Sequence, residues 1–183
     1  MIFKVKTTEF AMIPVTEGGY LSFMIGETEV TKGLYNALTD SVIIKSDYPQ
    51  TFATYNSCIA LCDSLKKNLG MNFSLPTETQ WEWAYKGGEK SLGYKFCGSD
   101  IASEIGWDKT NSGGMSHKVA TLMPNELGIY DMYGNLGEWY EKSGSSIYYQ
   151  KSCFSETSKS RYSVSYATTT IKNVGVRLCI AFK

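Results

Sequence analysis

A chain of 183 residues, 43% apolar and 20% charged, has the composition of one compact globular unit rather than of a disordered or fibrous polypeptide. Eighteen basic residues balance eighteen acidic ones, which removes the broad positive field of a nucleic-acid binder, and no run of about 18 apolar residues offers a membrane-spanning helix. With one histidine, His117, a multi-histidine metal site is excluded; the five cysteines (Cys58, Cys62, Cys97, Cys153, Cys179) contain no Cys-x-x-Cys and suit neither a disulfide framework nor a structural zinc.

In chain order, the first 30 residues read as short strands: Phe3 to Lys6 alternates, Ala11 to Val15 is apolar, and Glu17-Gly18-Gly19 turns into Tyr20 to Ile25. Thr31 caps a short helix to about Leu38. A clearer helix starts at the N-cap Thr54, repeats Cys58, Leu61, Cys62, Leu65 and Leu69 at helical spacing, and stops at Gly70. Cys58 and Cys62 share that apolar stripe, so core packing outweighs a soft-metal clamp. Thr77 and Gln80 have capping-box spacing and open a third helix through Tyr85, halted by Gly87-Gly88. Beyond residue 87 no helical pattern continues, and glycines punctuate short segments; His117 reads as a loop residue. Strands, then helices, then loops and closing strands predict one α+β domain over 1–183.

Three segments identify a family. They are Leu75-Pro76-Thr77-Glu78-Thr79-Gln80-Trp81-Glu82-Trp83-Ala84, the stretch from Pro124-Asn125-Glu126-Leu127-Gly128 through Asp131-Met132-Tyr133-Gly134-Asn135-Leu136-Gly137-Glu138-Trp139, and Gly175-Val176-Arg177-Leu178. In that order they resemble the formylglycine-generating enzymes, or sulfatase-modifying factors, over roughly residues 23 to 183. The resemblance implies a C-type lectin-like fold with small, mostly antiparallel sheets, two or three helices and extensive loops. Arg177, in an apolar terminal strand, is expected to be paired internally, because an unpaired buried guanidinium is costly.

The resemblance also implies a calcium ion wrapped by 131–138, with the Asp131 and Glu138 side chains and the Gly134 and Leu136 carbonyls as ligands. Two carboxylates and two carbonyls suit a hard cation that takes oxygen ligands. The alternative is that both carboxylates only hydrogen-bond loop amides.

The family oxidises a substrate cysteine with copper held by a Cys-x4-Cys pair. Here the equivalent strand is Lys151-Ser152-Cys153-Phe154, and the residues after it, 155–161, contain no cysteine. Hydroxyls do not replace thiolates for Cu(I), so no copper is expected. A related branch uses iron and histidines from an additional helical domain, for which this chain has no room.

Residues 143–170 contain nine Ser, four Thr and four Tyr. Antibody paratopes favour that mixture, tyrosine for rigid amphipathic contact and serine for adaptable hydrogen bonding; ordinary serine-rich loops share it. Domains similar to this family are the display scaffold of diversity-generating retroelements, whose variable positions are rich in Tyr, Ser, Thr and Asn. The resemblance implies a ligand-binding face of Tyr148, Tyr149, Ser155, Thr157, Ser160, Arg161, Tyr162 and Tyr166. The expected partner is a cell-surface protein or glycan receptor, with subunits of a virion or surface assembly as neighbours and no nucleic acid or membrane insertion. Free thiols and the absence of a signal-peptide pattern predict synthesis in the cytoplasm, with a virion or cell surface as an attainable destination. The competing functions are a divergent copper oxidase built on Cys153 and Cys179, and a structural virion subunit.

Overall fold

The computed structural model describes residues 1–39, 45–141 and 172–182, and the backbone of 147–151 and 160–164. Strands β1 (Ile2–Val5), β2 (Thr8–Glu17) and β3 (Tyr20–Gly26) form an antiparallel meander. Helices α1 (Lys32–Leu38), α2 (Tyr55–Leu69) and α3 (Glu78–Tyr85) follow. After a 3-10 turn at Gly88–Lys90 come α4 (Ala102–Ile105), β4 (Gly106–Trp107) and β5 (Tyr133–Gly134). The chain closes with β6 (Gly137–Glu141), β7 (Ile147–Lys151), β8 (Ser160–Val164), β9 (Val174–Val176) and β10 (Cys179–Ala181).

The caps explain why the helices start where they do. Thr31 Oγ1 accepts from the Leu34 amide at 3.2 Å. Thr54 and Ser57 cap each other reciprocally, as do Thr77 and Gln80, each pair satisfying two amides that the first helical turn leaves free. Gly70 ends α2 with φ 69°, a left-handed geometry that glycine adopts without cost from a Cβ. The expectation that helix ends at residue 87 is corrected by α4, whose four residues are too few to display a helical period.

Among the described residues the strands form three sheets, ordered β1-β2-β3-β10, β4-β5 and β8-β7-β6-β9. Strand β10 pairs antiparallel with β3, setting Cys179 opposite Ile25. Where β3 meets β10, both faces of this first sheet are buried. Met12, Met24 and Ile180 enter a core shared with Leu34 of α1 and with Cys58, Leu61, Cys62 and Leu65 of α2. Val15, Phe23, Ile25 and Cys179 enter the other core, against Trp81, Ala84 and Tyr85 of α3. Strand residues alternate between faces, so a strand covered on both sides reads as the continuous apolar run seen at Phe23 to Ile25. Among the described residues no helix is long and apolar enough to cross a membrane.

Cys58, Cys62, Cys97 and Cys179 are all buried and free, in agreement with the packing role expected for the α2 pair. Burial pushes the Cys62 and Cys179 thiols up to about 12, far from the reactive thiolate. Cys153 lies outside the described residues. The native protein is therefore expected to expose at most one thiol to an aromatic disulfide reagent, and all five after denaturation. Rapid native labelling of two or more would contradict this packing.

Candidate functional site

The loop 131–138, which runs through β5 into β6, carries the family motif, and its backbone is shaped for close approach. Asp131 and Asn135 take φ of 58° and 54°, which short polar side chains tolerate better than others. Gly134 has φ 84°, and a Cβ there would collide with the Trp107 carbonyl; one on Gly106 would collide with that of Tyr133. Strands β4 and β5 can thus pair only through glycines.

Inside this loop a buried polar network is assembled. Arg177, fully buried, donates from Nε and Nη2 to Glu138 Oε1 at 3.1 and 2.8 Å, and from Nε to Oε2 at 3.2 Å. The Trp81 indole of α3 donates to Glu138 Oε2 at 2.5 Å. The guanidinium also donates from Nη1 to the Gly26 carbonyl at 2.9 Å and from Nη2 to that of Tyr130 at 2.8 Å. Glu29 accepts from the Leu136 amide at 2.9 Å and from Asn135 Nδ2 at 2.7 Å. Asn135 Oδ1 in turn accepts from the His117 amide at 2.9 Å. His117 stacks on Trp107, ring centroids 3.8 Å apart, as part of the loop. The internal pairing expected for Arg177 is present.

Asp131 Oδ2 accepts from the Ala120 amide at 2.7 Å, while its Oδ1 is buried with no hydrogen-bond partner. Burial, then the Asp131 and Glu138 charges, hold the Glu29 carboxyl well above the ordinary carboxylate range. Burial likewise raises Asp131 from its ordinary 3.8 to about 6.

Of the two side chains expected to hold calcium, Glu138 is engaged through both oxygens while Asp131 keeps one oxygen unpartnered. Glu138 offers each oxygen to two donors, and a buried cation stands against it. The alternative of bonding only to loop amides holds for Asp131 Oδ2 but not for Oδ1, and Glu138 bonds a guanidinium and an indole instead. Among the described residues no group of three or more His, Cys, Asp or Glu is disposed to hold a metal ion. The sequence motif pointed to Glu138 but not to Glu29, which approaches from more than 100 positions away.

The expected binding residues divide. Tyr148 and Tyr149 fall on β7, and Ser160, Arg161 and Tyr162 on β8. The antiparallel register sets Tyr149 opposite Tyr162, Tyr148 opposite Ser163, and Gln150 opposite Arg161. Strand β7 is hydrogen-bonded along β6, pairing Tyr149 with Trp139 and Gln150 with Glu138, so it abuts the strand that carries the network. Ser155, Thr157 and Tyr166 lie outside the described residues. Cys179 is fully buried, its Sγ 3.7 Å from Gln80 Oε1.

A carboxyl whose folded pKa is raised contributes most stability below its unfolded value and loses that contribution as pH rises through the folded one. Asp131→Asn retains an acceptor for Ala120 and removes the buried charge. The variant is expected to melt above the parent at pH values above about 6, the difference closing toward 3.8, as read by thermal unfolding across pH. A variant less stable than the parent at neutral pH would contradict this.

The structure superposes on Treponema denticola variable protein 1 with a TM-score of 0.84 and 20% identity, covering 100% of this chain and 99% of that one. The sequence is 36% identical over 90 residues to chaperone protein LppX of Paenibacillus barcinonensis, 39% of this chain and 32% of that protein. It is 30% identical over 105 residues to inactive C-alpha-formylglycine-generating enzyme 2 of Bos taurus, 52% of this chain and 33% of that protein. These matches span about a third of the curated relatives' own length. The profile of the sulfatase-modifying factor enzyme 1-like domain matches residues 4–181. With that match over nearly the whole chain, on a C-type lectin-like α+β fold, the chain belongs to the sulfatase-modifying factor enzyme 1-like domain family.

Proposed function

We propose that this chain is a non-catalytic recognition domain of the diversity-generating retroelement variable-protein type. In this reading it grips a protein or glycan receptor on a cell surface through residues 143–170, as part of a virion or surface assembly. The observation that carries the reading is the position of its Tyr- and Ser-rich segment. Strands β7 and β8 are the outer pair of a sheet whose inner strand β6 is locked by buried Glu138, Trp139 and Tyr140. Such an outer pair can change its side chains while the scaffold keeps its own contacts. The fold shared with a variable protein is in keeping with this, as is the likeness to a relative described as inactive. The missing Cys-x4-Cys supports it independently, since Cu(I) needs soft ligands.

Tyrosines are the expected anchors, because they bring large contact area at small entropic cost. Alanine at Tyr148, Tyr149, Tyr162 and Tyr166 together should abolish binding to receptor proteins or glycans captured on an array. Each single change at a central anchor should cost about 2 kcal/mol, roughly 30-fold in affinity. Unchanged affinity in the fourfold variant would show that the face is elsewhere. A copy of the 3′ coding segment in the same genome, differing mainly at adenines, is the expected companion of a diversified protein; its absence would leave an invariant binder. Stoichiometric Cu(I) uptake, with oxygen consumption on a cysteine-containing peptide, would instead establish the oxidase reading.

A further inference from the structure

We propose that the groove between α3 and the β2–β3 hairpin is a second binding site, which receives an arginine side chain carried on a segment of a partner protein. The groove is a cavity of about 440 Å³, within the range of roughly 300–1,000 Å³ that ligand pockets occupy. Trp83 and the buried Phe23 line it. Of the three aromatic side chains of α3, Trp81 and Tyr85 stack on each other in the core, ring centroids 5.4 Å apart. Trp83 is only half-buried, and its indole N–H donates to the Thr16 carbonyl at 3.2 Å. With that donor engaged, the ring offers the groove carbon and π surface.

The charged groups select the ligand. Glu17, Glu78 and Glu82 line the groove against one ammonium, that of Lys86. Glu78 and Glu82, four positions apart, share a face of α3. Lys86 balances one of the three carboxylates at most, so the groove keeps an excess of negative charge. Among the described residues no three acidic side chains converge closely enough to hold a metal ion. Spread carboxylates beside an aromatic wall suit a large organic cation instead. Arginine fits best, because its guanidinium stacks flat on an indole and forks its N–H donors toward carboxylates.

The bearer is a protein segment rather than a free small cation, because apolar surface continues beyond the groove. Tyr20 and Leu21 lead into Ser22 on its wall, the Phe182 amide donates to the Ser22 carbonyl at 3.2 Å, and all three large side chains are exposed. The chain's own arginines are Arg161 and the fully buried Arg177, so the cation is assigned to a different protein. The described residues that line the groove all lie outside 143–170, and the site stands whether or not that face binds a receptor.

The test titrates the whole protein with the peptide acetyl-Leu-Arg-Leu-amide and with its citrulline counterpart, following the indole N–H resonances. Saturable binding with Kd of about 1 mM or tighter is expected, with the Trp83 resonance moving most and the neutral citrulline peptide at least about tenfold weaker. The variants Glu78→Gln with Glu82→Gln, and separately Trp83→Leu, should each weaken the arginine peptide by about the same factor. No saturation by about 10 mM peptide would overturn the proposal, as would equal binding of the citrulline peptide or unchanged affinity in the glutamine variant. Tighter binding of tetramethylammonium than of the arginine peptide would make the occupant a small cation and would also overturn it. So would self-association that Arg161→Gln abolishes, which would make the occupant a second copy of this chain.

Discussion

The fold hangs together at the buried contact of Arg177 with Glu138. One guanidinium reaches the end of β3, the loop before β5 and the strand β6, while the Trp81 indole brings α3 to the same carboxylate. Both ions are buried, so neither can be left alone without a large electrostatic penalty. A buried pair of this kind contributes little net stability over apolar residues of equal volume. Its effect here is to specify register: sheet β1-β2-β3-β10 and sheet β8-β7-β6-β9 can meet in one way only, the way that pairs the two charges.

From that constraint the division of labour in the molecule follows. The motif residues face inward and hold carbonyls, amides and one another: Asn125 bonds Ala84, Leu127 and Ile129, Asn135 bonds Glu29, and the Trp139 indole donates to the Phe52 carbonyl. They build a rigid edge at β6, along which β7 is hydrogen-bonded and then β8. The proposed recognition face would thus rest on a strand fixed by buried contacts.

Legibility in the sequence followed the range of the interactions. The threonine caps at 31, 54 and 77 and the glycine stop at 70 are contacts within four residues, and they were readable from residue type and spacing. The apolar stripe of α2 was readable by its period, including the two cysteines. Helix α4 and the two-residue strands β4 and β5 are too short to leave a period, and glycine was their only trace. At the candidate site, the loop 131–138 was recognisable but its chemistry was not. What decides the fate of Glu138 is an arginine 39 positions on and an indole 57 positions back, and Glu29 joins from across the chain. Residue types in one segment suited a metal; the donors that engage Glu138 come from two distant parts of the chain.

The central claim is that a network-locked scaffold carries the recognition face proposed on residues 143–170. A library substituting every position of 134–181, sorted for protease-resistant folded protein, tests it most directly. The account predicts that Glu138, Trp139 and Arg177 reject nearly all replacements while positions across β7 and β8 accept most of them. Equal intolerance in the two groups would mean that the tyrosine- and serine-rich strands belong to the scaffold, and the reading of this chain as a display domain would not stand.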